Sequence, residues 1–173
     1  MIRSSLRAAV AAFALAAAAP IAAFAAETTI VEAAVATPDL STLTAAVKAA
    51  DLVDTLNGAG PFTVFAPTNA AFGALPAGTV DTLLQPANKP ALQGVLTYHV
   101  VAGKVTAADL AAKIKAGGGK ATLKTVAGGE LSAAQEGAHI VLTDAKGRKA
   151  HVAAADLNQK NGVVHVIDSV LLP

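Results

Sequence analysis

Cysteine is absent from this chain, which removes disulfides and thiolate chemistry and leaves packing as the source of stability. Tryptophan is absent too, and beyond residue 25 the only aromatic side chains are Phe62, Phe65, Phe72 and Tyr98. A core this poor in aromatics should be anchored where they cluster, because they bury the largest area per residue. There is no run of basic residues, hence no electrostatic footprint for nucleic acid, and no Asn-x-Ser/Thr triplet for N-glycosylation. Serine is scarce: beyond residue 25 only Ser41, Ser132 and Ser169 remain, and no Gly-x-Ser-x-Gly elbow occurs. His165, Asp168 and Ser169 supply the residue types of a hydrolase triad. Four strand residues span about 13 Å, however, so Ser169 cannot reach His165. The Gly117-Gly118-Gly119-Lys120 run lacks both the upstream glycine and the following Ser/Thr of a phosphate loop. None of this points to an enzyme.

Metal ligands are scattered in the same way. The histidines are His99, His139, His151 and His165, and no two have zinc-ligand spacing. If Asp144–Gly147 closes a regular hairpin, His151 stands opposite Ile140. His139 and His151 then point to opposite faces, and a one-residue bulge would reverse this. The expectation is no metal and no cofactor.

What is present begins with a targeting segment. Arg3 and Arg7 precede the apolar run Ala8–Ala19, Pro20 breaks it, and Ala23-Phe24-Ala25 offers small residues for cleavage after Ala25. Residues 1–25 read as a secretory signal peptide, too short in its apolar run to span a membrane. Its removal leaves 11 basic against 12 acidic residues and no membrane span. The remainder has the size of one domain, with 26–36 as an N-terminal extension or first helix and 37–173 as the domain proper.

Along that domain the pattern changes from helical to extended. Helices are expected over Thr28–Ala36, Asp39–Ala50 (capped by Ser41 or Asp39), Asp51–Leu56, Thr79–Leu84, Pro90–Thr97 and Ala107–Lys115 behind a Thr106 cap. Between them, Phe62–Ala66 reads as a buried strand that Pro67 stops. Thr68 or Asn69 then caps a short helix, Ala70–Leu75, from which Phe72 turns back onto the strand. Strands with turn signals follow: Ala121–Val126, Glu130–Gln135, Ala138–Thr143 and Arg148–Ala154, with Asn161-Gly162 as a hairpin turn. In the terminal strand Val164, Val166, Val170 and Leu172 share one face, and Val163, Ile167 and Leu171 share the other. Such a strand should be buried on both sides. Asp168 among these valines should serve as a structural acceptor for backbone donors, since an isolated buried charge is costly. Helices first and antiparallel strands later give an α+β class.

Three segments in order, TVFAPTNAAF (63–72), LTYHVVAGKV (96–105) and NGVVHVIDSVLL (161–172), resemble the marker segments of the fasciclin domain, including its Tyr-His pair. The resemblance implies a β-wedge or sandwich with helices packed along one side. It also implies a secreted, non-catalytic interaction or adhesion module, periplasmic or extracellular, that binds a protein or matrix partner. The alternative it implies is a carrier of a hydrophobic, carotenoid-like molecule in an apolar groove. Tyr98 and His99 are the candidate interaction residues by this resemblance. Their own position, where a helix runs into an extended segment, argues for bridging backbone groups. Phe62, Phe65, Phe72, Asn69 and Asp168 are read as structural.

Overall fold

Strand β1 (Phe62–Pro67) sits between a near neighbour and a distant one. It pairs antiparallel with β2 (Val100–Ala102), and parallel with β7 (Gly162–Ile167), where Phe62 faces Gly162 and Pro67 faces Ile167. The computed structural model describes residues 28–58 and 60–173, so the signal segment and its cleavage point lie outside the described residues. Antiparallel strands β3 (Lys120–Lys124), β4 (Glu130–Glu136), β5 (His139–Thr143) and β6 (Lys149–Gln159) complete one sheet in the order β2-β1-β7-β6-β5-β4-β3. A single bridge, Val101 to Thr125, draws the two ends of the sheet together, so it is nearly closed.

Helices α1 (Ile30–Ala36), α2 (Ser41–Ala49), α3 (Val53–Leu56), α4 (Asn69–Gly73), α5 (Thr79–Leu84) and α6 (Lys89–Tyr98) precede most of the strands, with short 3-10 turns ahead of α2 and α6. They cover the face of β1 and β7 that carries Val64, Ala66, Val164 and Val170. The last helix, α7 (Ala107–Ala116), does not join them. Its Leu110 and Ile114 plug the other side, among Phe65, Leu123, Leu131, Leu142 and Ile167. The helices α1–α6 thus pack along one side of the β1–β7 wall, in the α+β arrangement expected, and α7 closes the sheet core on the other.

The wall explains one departure. Because side chains alternate along a strand, Phe62 packs against the helical core with Phe72, whereas Phe65 enters the sheet core with Tyr98. The aromatics thus anchor two cores and form no single cluster. Strand β7 is two-sided as its apolar pattern requires: Val164 and Val166 lie on the helical side and Ile167 on the other, and beyond the strand Val170 and Leu171 divide in the same way. It ends at Ile167, so Asp168 is exposed and not buried among valines. Its carboxylate accepts the His151 N–H at 2.9 Å and the Ser169 hydroxyl at 3.1 Å.

Several local signals act through different partners than their sequence neighbours suggest. Thr68 caps α4 by accepting the Ala71 N–H. Asn69 instead reaches another helix: its Oδ1 accepts the Thr42 N–H at 3.0 Å and its Nδ2 donates to the Pro38 carbonyl at 3.0 Å. It therefore caps α2, for which neither Asp39 nor Ser41 does so. The hairpin at the end of the chain has Lys160 and Asn161 as its loop, since Gln159 pairs with Gly162. Gly162 is already in the strand, and a Cβ there would stand 1.8 Å from the Phe62 carbonyl oxygen. Only glycine lets β1 and β7 approach this closely.

Between β5 and β6 the register is shifted by one residue from a regular four-residue hairpin. Thr143 pairs with Lys149 and Val141 with His151, leaving the five-residue loop Asp144–Arg148. Asp144 builds that loop: its Oδ1 accepts the Lys146 and Arg148 N–H groups at 2.9 and 2.8 Å, and Gly147 supplies φ +80°. His151 thus stands opposite Val141 and not Ile140, and His139 and His151 share the outer face.

Candidate functional site

The Tyr98-His99 junction lies where α6 ends and β2 begins, and both side chains point inward. Tyr98 is 1% exposed and His99 is 2% exposed. The Tyr98 hydroxyl donates to the Glu130 carbonyl at 2.9 Å and accepts the Ala145 N–H at 3.1 Å. It ties the start of β4 to the β5–β6 loop. Burial raises the Tyr98 hydroxyl above its ordinary pKa; the Ala145 bond opposes this and the nearby Asp144 charge adds to it.

His99 performs the corresponding task on the other side of the backbone. Its Nδ1 lies 2.8 Å from the Val95 carbonyl and its Nε2 lies 3.0 Å from the Leu171 N–H. A carbonyl can only accept and an N–H can only donate, so the ring is the neutral Nδ1–H tautomer. Burial lowers its pKa to about 4, with the Val95 bond and the Asp144 charge acting the other way. Beside it, Asp144 Oδ2 accepts the Leu172 N–H at 3.1 Å, so the chain end is held by two consecutive amides.

His165, wholly buried on β7, repeats the pattern. Its Nε2 donates to the Val105 carbonyl at 2.8 Å, its Nδ1 accepts the Asp156 N–H at 3.3 Å, and its ring stacks on Phe65 at 5.5 Å between centroids. Thr63, also fully buried, donates to the Gly103 carbonyl at 2.7 Å and accepts the Val105 N–H at 2.8 Å. Every buried polar side chain among the described residues has a hydrogen-bond partner. These groups are saturated by backbone and present nothing to a substrate. Sequence reasoning singled out Tyr98 and His99 but gave no such place to Thr63 or Asp144. Their signal, a polar residue between apolar runs, is common to any turn.

An apolar space lies under α1, bounded by Ile30, Val31, Val47, Phe62, Val64 and His99. Its volume is about 40 Å³. That is room for a few waters, each needing about 10–15 Å³, and far below the roughly 300 Å³ at which small-molecule pockets begin. A carotenoid-sized ligand does not fit in this space. Among the described residues no three His, Asp or Glu side chains converge as a ready metal site, and no single helix is long and apolar enough to cross a membrane.

The family model of the Fasciclin domain matches residues 38–173, and the chain belongs to that family. It is 51% identical over 146 residues to the protein sll1483 of Synechocystis, covering 84% of this chain and 73% of that one. It is 38% identical over 141 residues to the cell surface glycolipoprotein MPB83 of Mycobacterium bovis, covering 79% and 56% respectively. The fold is similar to that in the structure of a FAS1 domain pair from the insect cell adhesion molecule Fasciclin I, with a TM-score of 0.74 at 24% identity, over 84% of this chain and 51% of the other.

Proposed function

We propose that this domain is a non-catalytic recognition module that binds a protein or matrix partner outside the cytoplasm. One observation carries the reading: the polar side chains inside the domain, Tyr98, His99, His165, Thr63 and Asp144, are all bound to backbone groups. What the chain does, it does with its outer surface. The signal-like leader, membership of the Fasciclin family and likeness to a cell surface glycolipoprotein support the location. On this reading Tyr98 and His99 do not touch the partner, because they are buried; they hold the frame that presents the binding surface. The test is saturable binding of the folded mature domain to envelope or medium fractions of its host, with heat-unfolded domain as control. Binding that saturates only for the folded domain is the expected result. Equal retention of both forms, or none, overturns the proposal.

A further inference from the structure

The outer face of β4–β6 carries a group of side chains that the fold does not use. Glu136 pairs directly with His139, and Val141 with His151, so the outward side of three adjacent strands bears Glu136, His139, Val141, His151 and Lys149. Both histidines are exposed. Val141 belongs to neither core and yet is only 1% exposed.

The twist of the sheet decides how near these groups are. Lys149 lies two strands away from Glu136 and two rows along, yet its Nζ is 2.6 Å from the Glu136 Oε1. That contact runs along the diagonal which the right-handed twist shortens. His139 and His151 stand one strand and one row apart on the same diagonal, where such neighbours are separated by about 7–8 Å. The Lys149 contact draws the carboxylate of Glu136 across β5, toward the strand that carries His151.

We propose that Glu136, His139 and His151 form a surface site for a divalent late first-row cation such as Cu²⁺ or Zn²⁺. Two imidazoles and one carboxylate are a donor set such ions favour, and water completes the coordination on the exposed side. In the ion-free protein the three groups do not converge, and the Lys149 ammonium holds the carboxylate. Binding exchanges that ammonium for the metal, so Lys149 is a built-in competitor. The site depends on the five-residue Asp144–Arg148 loop, because a four-residue loop would turn His151 to the other face of the sheet.

The experiment is calorimetric titration of the mature protein with Zn²⁺ and with Cu²⁺ at neutral pH, alongside the histidine ring signals in NMR spectra. One ion should bind per chain, Cu²⁺ more tightly than Zn²⁺. The His139 and His151 rings should shift while buried His99 and His165 stay unchanged. H139A and H151A should each lose the binding, and K149Q should tighten it by removing the competitor. All three positions are exposed, so the variants should keep the wild-type melting temperature. No binding of either ion by the wild type, binding that persists in H139A and H151A, or K149Q that weakens the site would overturn the proposal.

Discussion

The two cores on either side of the β1–β7 wall are built differently. The helical core is apolar almost throughout, and its short helices leave the space of about 40 Å³ under α1 and a smaller one beside Phe72 and Leu84. The sheet core holds Phe65 and Tyr98, and buried His165 stacks within it. The contrast teaches where polar groups can be buried. A sheet that nearly closes on itself brings loop amides and carbonyls close to its interior, so a histidine or tyrosine there finds partners at once. Helices largely satisfy their own backbone, and the polar side chains buried among them, Thr44 and His99, bond to carbonyls four residues back.

The comparison breaks most visibly at the aromatics. Phe65→Ala should cost about 3–5 kcal/mol, since Phe65 is fully buried and its neighbours are pinned by hydrogen bonds that limit collapse. Phe72→Ala, in the looser helical core, should stand at the low end of that range. Chemical denaturation of both variants measures the difference; equal losses would show that the two cores relax alike.

Acid should act next in size, through His99. Its folded pKa of about 4 lies below the ordinary 6.5, so the unfolded chain binds the proton more readily. The contribution is complete above pH 6.5 and is lost progressively as pH falls from 6.5 to 4. A shift of that size corresponds to about 3 kcal/mol. Unfolding free energies of wild type and His99→Gln across this window test it, because the variant should lose most of the slope. A wild-type profile as flat as that of the variant would refute the assignment.

Tyr98→Phe removes only a hydroxyl, yet it leaves the Glu130 carbonyl and the Ala145 N–H without their partner. The expected cost is about 1–3 kcal/mol. Hydrogen exchange at the Ala145 amide should accelerate in step, and an unchanged rate would mean that the loop is held by Asp144 alone.

The smallest effect has the opposite sign. Val47→Ile adds a methyl group facing the space under α1 and should stabilise the domain by up to about 0.8 kcal/mol. The same change at buried Val101 of the sheet core, which borders no such space, should cost about 1–3 kcal/mol. Melting temperatures that move in the same direction for both would erase the distinction between the cores.

Local signals in the sequence were legible where a residue acts on its own element. Thr106 caps α7, with Asp109 completing the box, and the valines of β7 show a strand with two apolar faces. Signals failed where the partner lies far along the chain. Asn69 looks like a cap for the helix that follows it, but its oxygen serves α2. The aromatics of residues 62–72 read as one cluster because nothing local says that a wall separates them. The β5–β6 register turned on one residue of loop, set by two hydrogen bonds to Asp144 that no spacing rule encodes. Tyr98 and His99 were visible as a pair, but their burial depends on Glu130, Ala145 and Leu171, which arrive from three later elements.

The pairing of β1 with β7 has a consequence for how the chain is made. Phe62 meets Gly162, a hundred residues later, and both cores rest on that seam. Closing so long a loop is slow, and non-local strand pairing generally limits folding rate. A nascent chain that has produced every helix still lacks the wall on which they pack until β7 emerges. The domain therefore cannot lock into shape piece by piece during synthesis. It stays open until its last dozen residues are available, and then closes as one unit.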